Sequence, residues 1–203
     1  MELLQVPAGT TASTQVSFLP QFIGVKLGAG VLDRISIQRL GSDVVMNITG
    51  ESFERMARLR NKVANGSTTI LWLPCANGLV GGNVDITVTA GAGATLEIYG
   101  RSEVKGGVLV SYAEQTVLAN SEVRIQDFAF ATTDYATGDT MNIEYSQGLS
   151  QRFGMEEYAT TQDDKVNNDS DVVIIDNLDQ QISSIQSTPV ANRLWCVARF
   201  NNI

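Results

Sequence analysis

Residues 31–40 read VLDRISIQRL, 44–56 VVMNITGESFERM, 68–74 TTILWLP and 95–100 TLEIYG. A comparable series follows: SEVRIQDFAF at 121–130, DTMNIEYSQGLSQRF at 139–153, DVVIIDNL at 171–178 and RLWCVARF at 193–200. The tripeptide Met-Asn-Ile stands at Met46–Ile48 and again at Met141–Ile143, and Tyr99 and Ala198 close comparable last strands. Identity between the two series is slight, but the order of elements is shared. At 203 residues the chain suits one large β domain or two small ones. The echo places one unit over residues 1–105 and a second over 106–203, with RSEVKGG at 101–107 as the connection.

Working outward, the dominant period is two. Ile35 and Ile37 alternate with Arg34, Ser36 and Gln38, and Val84, Ile86 and Val88 alternate with Asp85 and Thr87. Such segments are strands with one dry face and one wet face. Residues 1–11 read as an extended arm. Gly91-Ala92-Gly93 reads as a turn that returns Thr95–Tyr99 as a hairpin partner. Val108–Tyr112 and Gln115–Leu118 read as a pair of strands, and Glu122–Thr132 as one alternating strand.

Thr49–Val63 changes period. Thr49 or Gly50 can cap it, Glu51 and Glu54 favour its first turn, and Phe53, Met56, Ala57 and Val63 form an apolar stripe. Gly148–Tyr158 has a weaker helical pattern around Leu149, Phe153 and Met155. Ala159–Ser170 and Asp179–Pro189 are polar and read as long loops. Together these predict an all-β chain with a short helix in each half.

Hydrophobic residues make up 43% of the chain and charged residues 18%, below the usual ~25%. The net charge of −8 is uneven: residues 1–105 hold 9 Lys and Arg against 8 Asp and Glu, and residues 106–203 hold 5 against 14. No surface here suits direct nucleic-acid binding. Two cysteines, Cys75 and Cys196, specify no disulfide framework; they read as small buried groups, with a bond between them as the alternative. No signal peptide is apparent, and no apolar run approaches the ~20 residues that span a bilayer.

The chain contains no histidine, so Ser-His-Asp and Cys-His nucleophile systems are unavailable. Nothing marks a catalytic carboxylate pair, and the reading is of a protein that is not an enzyme and needs no cofactor. The one cluster of hard oxygen donors is Asp163, Asp164, Asn167, Asp169 and Asp171. Its spacing is not that of an EF-hand. An exposed polar loop is the plainer account; a structural calcium ion, at a subunit boundary, is the functional one.

Two successive β units, each with an early helix, resemble a tandem jelly-roll coat protein. The closest similarity is to the small double jelly-roll major capsid proteins of tailless, membrane-containing icosahedral bacteriophages. The stretches that carry it are VPAGTTASTQVSF at 6–18, VLDRISIQRL, FERMARLRNKV at 53–63 and NVDITVTAGAGATLEIYG at 83–100; SEVRIQDFAF, DTMNIEY and RLWCVARF carry it in the second half. The resemblance implies tandem jelly-roll β-sandwiches and a homotrimer of six such units, a pseudo-hexameric tile. It also implies contacts with neighbouring capsid proteins and the internal viral membrane, and a place in the virion shell after synthesis in the host cytoplasm. One alternative is a single jelly roll acting as a minor capsid, vertex or spike protein. Another is a carbohydrate-binding β-sandwich, which needs an exposed aromatic platform, whereas Trp72 and Trp195 sit in strongly apolar strands.

Overall fold

The computed structural model describes residues 1–41, 44–61, 69–76, 80–102, 108–159, 172–177 and 181–202. The chain divides into two compact units, Met1–Ala113 together with the segment from Phe200, and Glu114–Arg199.

The first unit contains β1 (Glu2–Val6), β2 (Thr11–Leu19), β3 (Phe22–Lys26), β4 (Leu32–Arg39) and β5 (Val44–Thr49). Helix α1 (Gly50–Asn61) follows, then β6 (Leu71–Pro74), β7 (Val80–Ala90) and β8 (Leu96–Arg101). One sheet has the order β1-β8-β3-β6, and the facing strands run β2-β7-β4-β5. The next eight strands are β9 (Val108–Val117), β10 (Val123–Gln126), β11 (Phe130–Asp134), β12 (Thr140–Tyr145), β13 (Ser150–Gly154), β14 (Val172–Asp176), β15 (Ile182–Thr188) and β16 (Arg193–Asn202). Their orders are β9-β16-β11-β14 and β10-β15-β12-β13. Counted from its own first strand, each set reads first-eighth-third-sixth and second-seventh-fourth-fifth. That interleaving is the jelly roll, and it occurs twice. The division between the units falls within β9, after Ala113.

Alternation explains the sandwich. Ile35 lies opposite Ile48 and Val88, and Ile37 opposite Met46 and Ile86. All of them are buried, while Ser36 and Asn47 between them face outward. The second unit has its own core, built on Ile125, Met141, Ile143, Val173, Ile185 and Trp195.

Helix α1 forms where the period changes. The Ser52 N–H donates to Oγ1 of Thr49 at 3.3 Å, so Thr49 is the cap. Glu51 pairs with Arg55 and Glu54 with Arg58, the latter at 3.0 Å. Phe53, Met56 and Ala57 are buried against the sheet; Val63 lies outside the described residues. The first residue has to be glycine, because a Cβ on Gly50 would sit 1.6 Å from the carbonyl oxygen of Leu32.

Several sequence expectations are corrected. Residues 1–11 are no free arm: β1 pairs with β8, Gln5 opposite Glu97. β7 and β8 are not a hairpin but belong to opposite sheets. Residues 108–117 are one strand, and 122–132 are two, broken where Asp127 turns at φ 53°. The weak helix at 148–158 is helical only over 155–159. Gly148, at φ 80°, instead makes a tight turn that pairs β12 with β13. The loop expected at 179–189 contains β15. There one core-facing position is a serine, Ser187, which accepts a hydrogen bond from the buried indole of Trp195 at 3.2 Å. The Met-Asn-Ile echo is out of step by one strand: Met46–Ile48 lies on the fifth strand of its set and Met141–Ile143 on the fourth. Two complete sets of eight strands also rule against the single jelly-roll alternative.

Candidate assembly surfaces

The outer face of β2-β7-β4-β5 is a grid fixed by register. Its rows are Thr11-Thr89-Arg34-Thr49, Ser13-Thr87-Ser36-Asn47 and Gln15-Asp85-Gln38-Val44. Neighbours in the grid bind one another. The hydroxyls of Thr11 and Thr89 are 3.0 Å apart, those of Ser13 and Thr87 2.9 Å, and Nε2 of Gln15 donates to Asp85 at 2.9 Å. Arg34 donates from Nε to Asn47 at 2.8 Å. These side chains are short and mostly uncharged. Covering such a face costs little side-chain entropy and little desolvation of charge.

The corresponding face of the second unit is different. Arg124 pairs with Glu144, which also accepts from Ser184 Oγ at 2.7 Å. An open cavity of about 360 Å³ is lined by Glu122, Thr140, Asn142, Arg152 and Gln186 among others. This face is charged and grooved where its counterpart carries mostly hydroxyl and amide groups.

A third surface lies at one end of the first unit. A recess of about 320 Å³ is lined by Met1, Leu3, Val16, Phe18, Pro20 and Arg101 among others. Phe18 is paired with Gly81 on β7, and the Leu40 N–H donates to the carbonyl of Asn83 at 2.9 Å, so the turn after β4 belongs to the same end. Met1, Leu40 and Val44 are 72%, 51% and 48% exposed there, well above what a core residue shows.

Burial pushes the Cys75 thiol up to about 12. Both cysteines are buried and neither is in a disulfide, so no bond joins Cys75 to Cys196. Lys26 donates to Glu97 at 2.8 Å, and Tyr99 donates to the same carboxylate. Hydrogen bonds from Lys26 and then Tyr99 hold Glu97 below the usual carboxylate range, and the bond to Glu97 raises both Lys26 and Tyr99. Trp195 is fully buried and Trp72 half-buried over Gly24, so neither forms an open aromatic platform. Asp163, Asp164, Asn167, Asp169 and Asp171 all lie outside the described residues. Among the described residues no group of three or more Cys, Asp or Glu could hold a metal ion.

The surfaces missed by sequence reasoning share one cause. Alternating Thr, Ser and Gln could be read along β2 or β7, but their assembly into a grid depends on strand order.

Neither a family model nor a curated protein sequence matches the chain. Solved structures match over its whole length. The major capsid protein P2 from bacteriophage PM2 is similar with a TM-score of 0.65 at 12% identity, covering 99% of this chain and 96% of that one. The STIV major capsid protein is similar with a TM-score of 0.62 at 11% identity, covering 98% and 94%. At such identity the likeness is one of fold, and the chain has the double jelly-roll fold of these two proteins.

Proposed function

We propose that this chain is a structural subunit of a viral capsid, a major capsid protein whose copies associate as trimers presenting six jelly rolls. The observation that carries the reading is the eight-strand order met twice, in a chain matched almost end to end by two major capsid proteins. The hydroxyl-rich grid supports it, since a weakly charged face is easily covered by a neighbour. Closed symmetry reuses one contact three times. The chain's place is the shell of the virion.

The mass in solution, measured with a low-resolution envelope, tests this. A flat particle of about three times 21.9 kDa is the expected result. A chain that stays monomeric at high concentration, and does not co-purify with particles, overturns it.

Contact with an internal viral membrane is part of the same proposal. Met1 and exposed Arg101, which line one recess, and exposed Leu40 and Val44 at the same end suit the interface of an anionic bilayer. Co-sedimentation with anionic vesicles should be lost in L40D/V44D; unchanged binding removes this part.

A further inference from the structure

β5, the fifth strand of its set, has β9 as a parallel neighbour, with Met46 opposite Tyr112. β9 is the first strand of the other set of eight. The same two roles, fifth and first, recur in the chain as β13 and β1. Each ends its sheet with an open edge, and among the described residues neither has a second neighbour. An open edge offers unpaired N–H and C=O groups as a template for another strand.

We propose that β13 of one copy pairs in parallel with β1 of a second copy, repeating the β5–β9 pairing between molecules. This rests on the capsid-subunit reading above and names the contact that joins its subunits.

The register follows from two alignments. β5 runs directly into helix at Gly50, and β13 runs directly into the helical turn at 155, so Met46 corresponds to Gln151. β1 ends on Val6 and β9 on Val117, both fully buried, so Tyr112 corresponds to Met1. Met46 opposite Tyr112 therefore becomes Gln151 opposite Met1 of the second copy. One step along, Arg152 comes beside Glu2. Both side chains are exposed. Arg152 makes no ion pair among the described residues, and Glu2 accepts a hydrogen bond from its neighbour Gln5 at 3.0 Å. Opposite charges meet at the position the register selects. The joint is head-to-tail, so it propagates from copy to copy until a ring closes.

A charge swap tests the pairing. Arg152→Glu and Glu2→Arg each set like charges side by side and should weaken association about tenfold or more. The double variant R152E/E2R restores opposite charges and should recover association to within about threefold of the original chain. All three are read by analytical ultracentrifugation, with circular dichroism confirming the fold. Normal association of both single variants, or a double variant as weak as the poorer single, overturns the pairing alone. An unaltered chain that never associates overturns both the pairing and the reading beneath it.

Discussion

Arg193 donates from Nε to Oδ2 of Asp139 at 2.6 Å, and the same carboxylate accepts the main-chain N–H groups of Ala136 at 2.9 Å and Val190 at 2.7 Å. The Asp139 side chain is fully buried and that of Arg193 is 11% exposed. One carboxylate thus ties the turn before β12 to the turn before β16. Asp139→Ala should lower the unfolding free energy by about 3–5 kcal/mol, because it leaves a buried guanidinium and two main-chain donors without their acceptor. Denaturant melts followed by Trp195 fluorescence check this. A loss below about 1 kcal/mol would show that Asp134, 3.5 Å from Arg193, takes over.

Phe53 is fully buried and docks α1 on its sheet. Phe53→Ala should cost about 3–5 kcal/mol and reduce soluble, assembled protein. Phe153, only partly buried, should cost less on the same change. Thermal melts of the two variants, compared side by side, would contradict the assignment if the order reversed.

Cys75 has a thiol raised to about 12 by burial. At pH 8 only about one molecule in ten thousand carries the thiolate that reacts with disulfide reagents. In a Cys196→Ala variant, Cys75 should stay unmodified in the native protein and react at once in 6 M guanidinium. Rapid native labelling would mean that the first core opens readily.

The Lys26–Glu97 contact has a pH signature of calculable sign. Glu97 titrates below its ordinary 4.5, so its contribution is present above that value and fades as pH falls through the lower folded one. Lys26 titrates above its ordinary 10.5, so its contribution is complete below that value and fades as pH rises further. Stability from the pair is flat in between. Lys26→Met should move the Glu97 midpoint upward in a carbon-detected NMR titration. An unmoved midpoint would assign the shift to Tyr99 instead.

The strands legible in the sequence were those whose dry face is wholly apolar. Ile35 and Ile37 announce β4, and Val84, Ile86 and Val88 announce β7. β15 was hidden because Ser187 occupies a core-facing position and satisfies Trp195, a pairing that periodicity cannot register. β13 was hidden because Ser150, Gln151 and Arg152 are all exposed, so its only apolar residue, Phe153, fits a helix as well as a strand. The Met-Asn-Ile repeat pointed to duplication yet paired different strands, since buried positions on any strand favour the same few residues. Pairing itself is non-local. Glu2 opposite Tyr99 cannot be inferred from either neighbourhood, and neither can the open edges of β1 and β13.

The bond from the Gly100 N–H to the carbonyl of Met1 joins residues 99 positions apart, and it sets a clock on synthesis. At ~5–20 residues per second, β1 leaves the ribosome roughly 5–20 s before the strand it pairs with. During that interval the N–H and C=O groups of the first strand have no β8 to pair with, so the segment is open to wrong partners. The eighth strand closes one side of it and ends that exposure.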